Sequence, residues 1–131
     1  MKKYLMLFTF LFALLTYSCT NNQAEKDAES YTFVHTVFFW LNDSVTDADK
    51  ENFEAGMKEL GKVPVIVKYD HGKPAGIERD VVDSSYDYAW IVYFKNAADH
   101  DVYQDHPLHL TFIDNYRHLW KQVKVYDTVI E

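Results

Sequence analysis

The sequence predicts an α+β domain with the element order β-α-β-β-α-β, placed behind an export segment. Three observations carry this reading. Runs rich in β-branched and aromatic residues recur at 31–41, 63–70, 86–94 and 122–130. Between the first two runs, and again between the last two, apolar residues fall at helical spacing. Phe, Trp and Tyr make up 17% of the chain, which suits a small single domain that must bury much apolar area per residue.

The first run, 31–41, alternates two faces. Tyr31, Phe33, His35, Val37, Phe39 and Leu41 share one, and Thr32, Val34, Thr36, Phe38 and Trp40 the other. Both faces turn apolar toward the end, so both are expected to be covered. Residues 46–60 predict a helix: Thr46 with Asp49 three places on is a capping pattern, Phe53, Met57 and Leu60 form one stripe, and Gly61 stops it. The strand 63–70 follows, then a polar loop 71–85 and the strand 86–94. A short helix is expected over 96–104 and another from Pro107 to about Trp120, since proline suits a first helical turn. On the latter, His109, Phe112, Ile113, Tyr116 and Trp120 share a face. The strand 122–130 closes the chain.

That order is the ferredoxin-like split arrangement, with helices on one face of the sheet. The other face carries Phe38 and Trp40, an apolar patch that a monomer rarely leaves open. Pairing of two sheets face to face would bury it, so a homodimer is expected.

The N-terminus reads as export and anchoring. Lys2 and Lys3 precede an apolar run, Leu5–Leu15, shorter than the roughly 20 residues of a membrane-spanning helix. Residues 1–18 are expected to be a signal peptide, and Cys19, after small Ser18, the lipid-bearing residue of a bacterial lipoprotein. Cys19 is the single cysteine, so no internal disulfide can form. Residues 19–30 then form the lipidated start and a polar tether. Loss of the segment holding Lys2 and Lys3 takes the net charge from −7 to about −9. Such a balance gives no electrostatic basis for binding nucleic acid or anionic lipid, so membrane contact is expected through the Cys19 lipid alone, at the cell envelope.

A family resemblance rests on particular residues. His35-x-Val37-x-Phe39, then Tyr103-Gln-Asp-His106-Pro107-x-His109-x-x-Phe112, then Tyr116-Arg117 and Trp120, resemble the stress-responsive dimeric α/β-barrel (Dabb) family over about residues 31–129. The resemblance implies a dimeric α/β barrel built by a 31–131 domain, with a pocket between sheet and helices. Pocket positions expected on the strands are His35, Val37, Phe39 and Trp90; those on the helices are Phe53, Met57, Phe112, Ile113 and Trp120. Some plant members of that family are polyketide cyclases that need neither metal nor organic cofactor. In them a tyrosine and a histidine act on the substrate, at positions matching Tyr103 and His109. A histidine of near-neutral pKa can take a proton, and a tyrosine hydroxyl can donate to a developing enolate oxygen. This chain departs from the cyclases where Trp90 and Ile113 replace an expected valine and glycine and Tyr88 replaces a histidine, which predicts a smaller pocket.

Each candidate also has a plain structural reading. His35 can be a satisfied core residue, Tyr103 and His109 can be packing, and Phe53, Met57, Phe112 and Trp120 read first of all as core. His106 and Pro107 are expected to shape the turn, and His100 and His118 to be solvated. The pair His106-x-x-His109 has no third ligand at helical spacing, so no metal is expected, and no cofactor. Three functions stand side by side. One is a ligand-binding module for a small apolar or aromatic molecule; another is a cofactor-free lyase or cyclase using His109 and Tyr103; the third is a dimerisation module with a filled pocket. A cavity of roughly 300 Å³ or more would favour the first two.

Overall fold

A computed structural model describes residues 30–131, so the expected signal peptide, Cys19 and nearly all of the expected tether lie outside the described residues. The chain folds as β1 (Phe33–Leu41), α1 (Asp47–Leu60), β2 (Ile66–Gly72), β3 (Tyr88–Phe94), α2 (Ala97–Gln104), α3 (Pro107–Tyr116) and β4 (Trp120–Val129), with a 3-10 turn at Arg117–Leu119. The four strands form one antiparallel sheet in the order β2-β3-β1-β4, the ferredoxin-like arrangement.

β1 is central and pairs along its length with β3 and β4. Its burial alternates strictly: Phe33, His35, Val37, Phe39 and Leu41 are buried, and the residues between them are half-buried. The register sets Val92, Trp90 and Tyr88 opposite His35, Val37 and Phe39 on the same, helix-covered face.

α1 begins with the capping box seen in the sequence. The Thr46 side chain accepts from the Asp49 amide, and the Asp49 carboxylate accepts from the Thr46 amide. Its stripe of Phe53, Met57 and Leu60 is fully buried on the sheet. Gly56 lies on this stripe because a Cβ there would run into the Tyr116 ring. Phe53 is the hub of an aromatic cluster, with Phe39, Phe112, Tyr116 and Trp120 rings within 5.2 to 6.1 Å.

Several boundaries differ from the sequence expectation. β2 begins at Ile66, because Pro64 has no amide to give a ladder and Val63 turns into the core. It runs on to Gly72, which pairs with Ala89 of β3. The last helix does not reach Trp120. It stops at Tyr116, and Trp120 opens β4 opposite Leu41, where β1 shifts register. The Trp120 ring still packs on Phe39 at 5.2 Å.

β4 is an edge strand, and the helices leave its Val123, Val125 and Val129 substantially exposed. On the far sheet face, Phe38 and Trp40 meet Tyr86 edge-on, with Tyr126 beside Phe38. Among the described residues no helix is long and apolar enough to cross a membrane.

Candidate functional site

A cavity of about 200 Å³ opens between the helix-side face of the sheet and the α2–α3 corner. β1 contributes His35, Val37 and Phe39, and β3 contributes Trp90. Tyr103 and Gln104 come from α2, and His109, Phe112 and Ile113 from α3. Trp120, Val123 and Val125 close the β4 side, and Leu60 the floor. His35, Tyr103 and His109 therefore share one cavity. Phe53 and Met57, read from the sequence as wall positions, do not line it. They are fully buried in the core, because the α1 stripe faces the middle of the sheet. Trp90 and Ile113 both form wall, and the space is smaller than the roughly 300 Å³ at which ordinary ligand sites begin.

His109 is aimed by the turn before it. His106 caps α3, its Nδ1 accepting from the Leu108 amide, and Pro107 occupies the first helical turn. The tight connection brings His109 Nδ1 within 2.8 Å of the Gln104 carbonyl. A carbonyl only accepts, so Nδ1 carries the proton and the lone pair of the neutral ring lies on Nε2. Burial lowers the His109 pKa, opposed by the Gln104 hydrogen bond and lowered further by nearby His100.

His35 is organised in the same way by a different partner. Its side chain is 6% exposed, and its Nδ1 stands 2.6 Å from Oδ1 of Asp127, the residue opposite it on β4. The carboxylate accepts, so here too Nε2 is left as the acceptor. Burial lowers the pKa, while the hydrogen bond and charge of Asp127 resist the fall. Neither Nε2 has a protein partner, and among the described residues no sealed side-chain nitrogen or oxygen lacks one. Both Nε2 atoms are therefore reachable, and the cavity is where both rings form wall.

Tyr103 supplies the complementary group. Its side chain is buried, its ring lies 4.7 Å from that of His109 and 5.9 Å from that of His35, and its hydroxyl accepts from Trp90 Nε1 at 3.2 Å. Its own proton meets no protein acceptor. Burial raises its pKa, so the hydroxyl stays a donor at neutral pH. The cavity thus holds two imidazole acceptors and one phenolic donor within apolar walls. Tyr88 turns away from this group: its hydroxyl donates to Glu54 at 2.7 Å, with Lys73 on the same carboxylate.

The sequence pattern missed two participants. Asp127 lies 92 residues from His35, and only strand register joins them. His100, expected to be solvated, is instead mostly enclosed, its ring 4.8 Å from those of Phe33 and His35. Its spacing of three from Tyr103 on one helix was the available signal.

The profile of the "Stress responsive A/B Barrel Domain" family matches residues 33–130, nearly all of the described chain. The chain belongs to the Dabb family. No curated protein matches it. Solved structures match at low identity. A dimeric ferredoxin-like protein of unknown function from Thermobifida fusca is 20% identical, with 78% of this chain and 93% of that one covered and a TM-score of 0.66. A Dabb family protein with a ferredoxin-like fold from Mesorhizobium loti is 20% identical, covers 78% and 99%, and has a TM-score of 0.64. The hydroxynitrile lyase of Passiflora edulis is 17% identical, covers 77% and 94%, and has a TM-score of 0.68. At such identities these likenesses establish the fold of this Dabb domain and leave its chemistry to its own residues.

The buried histidines make stability depend on pH with a definite sign. Both pKa values lie below the ordinary 6.5 in the fold, so the unfolded chain binds protons that the folded chain resists. Their contribution is full above pH 6.5 and is lost as pH falls from there through the lowered folded values. Chemical denaturation should therefore give a lower stability at pH 5.5 than at pH 7.5. Replacing both His35 and His109 by Gln should flatten that difference; an unchanged slope would contradict the assignment.

Proposed function

We propose that this Dabb domain holds a small apolar or aromatic molecule, bearing a hydroxyl or carbonyl group, in the cavity between sheet and helices. One observation carries the reading: His35, Tyr103 and His109 line one apolar cavity, and each keeps hydrogen-bonding capacity that no protein group uses. Buried polar groups in a purely structural core are ordinarily paired, because an unmade bond costs about 1–3 kcal/mol. The volume suits a single ring, since an apolar cavity of about 150 Å³ binds benzene. The volume, about 200 Å³, falls short of the roughly 300 Å³ that would by itself disfavour a dimerisation module with a filled pocket, so the unused polar groups carry the choice.

The same geometry supports a second reading, a cofactor-free lyase- or cyclase-like reaction. His109 Nε2 would take a proton from the substrate and Tyr103 would donate to the oxygen on which charge develops. The Passiflora neighbour, named as a hydroxynitrile lyase, supports a lyase on this fold by analogy alone. The domain is proposed to act as a homodimer. Neighbours described as dimeric support this, as does the half-buried Phe38 and Trp40 face of the sheet. It is also proposed to sit at the cell envelope on a lipid at Cys19, which the charged, apolar, small-residue order of residues 1–19 supports.

Native mass spectrometry of the full chain tests the site and the dimer together. The expected species is a dimer carrying a retained small molecule. His109→Ala should lose that molecule and keep the dimer. Tyr103→Phe should weaken retention about 2- to 10-fold, the worth of one hydrogen bond. Equal retention by both variants and the wild type would refute the ligand site. A loss confined to melting temperature in His109→Ala would return the histidine to a structural role. The anchor is tested separately by labelling cells with radioactive palmitate: the wild type should take up label and Cys19→Ser should not. An unlabelled wild type would overturn the lipoprotein reading.

A further inference from the structure

The hydrogen bond between His35 and Asp127 does not account for His100. This third group enters from α2 and its side chain is only 12% exposed. Its ring is stacked on Phe33, edge-on to Phe94, and 4.8 Å from the His35 ring. The Gln104 amide lies 2.8 Å from its Nε2, and the exposed Asp101 carboxylate 3.9 Å from its Nδ1. Packing alone does not call for a second imidazole beside the first. One donor atom from each of His35, His100 and Asp127 falls within 4.8 Å of the others.

We propose that His35, His100 and Asp127 form a binding site for one divalent transition-metal ion, on the Nδ1 side of His35 and so facing away from the ligand cavity. Two imidazoles and one carboxylate match the donor preference of Zn²⁺ and Co²⁺ and leave a fourth position for water. Magnesium and calcium, which favour all-oxygen shells, do not suit the set. The ion takes the place now held by the proton between His35 Nδ1 and Asp127 Oδ1. These two atoms, 2.6 Å apart, must then separate to the roughly 3.3 Å that two ligands on one small ion require. Asp127 can move that far, because it stands on the edge strand with its side chain 43% exposed, and the same exposure gives the ion its entry. The His100 donor must close from as much as 4.8 Å to the same spacing, its ring turning between its Phe33 and Phe94 contacts. Gln104 can reverse its amide and accept from the other ring nitrogen of His100, as an outer partner of a metal-bound histidine does.

Occupancy has a consequence for the cavity. An ion on Nδ1 places the ring proton on Nε2, so His35 changes from acceptor to donor on the ligand side. The metal would thereby select which ligand atom His35 can meet.

The test uses the full chain in detergent, stripped of metal, with any free Cys19 thiol alkylated so that it cannot contribute. Co²⁺ should bind at one ion per chain and give the intense visible absorption of a four-coordinate site, and Zn²⁺ should displace it. His100→Phe fills the same aromatic slot and should weaken binding at least tenfold. Asp127→Asn, on the exposed edge, gives a second variant that spares the core and should do the same. His106→Gln should bind like the wild type. Absence of stoichiometric Co²⁺ and Zn²⁺ binding, or wild-type affinity in the folded His100 and Asp127 variants, would overturn the site.

Discussion

Strand β1 is paired on both sides over nearly its whole length, so its side chains alternate without freedom to slip. A shift of one residue would carry Phe33, His35, Val37, Phe39 and Leu41 away from the helices and put Phe38 and Trp40 among them. Both the core and the cavity depend on this register. Phe39 docks on Phe53 and Trp120 to build the apolar cluster, while His35, four residues earlier on the same face, forms cavity wall. The same register on β4 sets Asp127 against His35, so one pairing fixes a packing face and an imidazole orientation at once.

A buried imidazole is costly unless one nitrogen is satisfied, and how it is satisfied decides what the other can do. His35 and His109 solve the problem alike, with a carboxylate in one case and a backbone carbonyl in the other. Both partners accept only, so both rings keep a basic Nε2. Burial disfavours the charged form of each and keeps those lone pairs free near neutral pH. Burial acts on Tyr103 in the opposite functional sense by preserving its proton. A fold dominated by aromatic packing thus holds two acceptors and a donor ready without further reorganisation.

What the sequence disclosed follows from what is local. The faces of β1, the Thr46–Asp49 capping box, the buried stripe of α1 and the His106–Pro107 turn are all written in short-range spacing, and each is present. The resemblance carried by Tyr103 and His109 pointed to two residues that do lie at one cavity. What escaped was non-local. Asp127 looks like one of many surface acids until strand register places it against His35. His100 sits in a polar stretch that reads as solvated, yet the turn of α2 presses its ring onto Phe33. Phe53 and Met57 were read both as core and as cavity wall, and the path of α1 across the sheet makes them core alone. Trp120 keeps its aromatic neighbours although the helix ends before it, because β4 delivers it to the same place.

The central claim is that both cavity histidines are anchored through Nδ1 and offer Nε2 to whatever enters. Long-range nitrogen–proton NMR on selectively labelled, metal-free protein at neutral pH reads the tautomer of each ring. The account predicts that His35 and His109 both carry the proton on Nδ1 and an unprotonated Nε2. A proton on Nε2 of either ring in the metal-free state would contradict it.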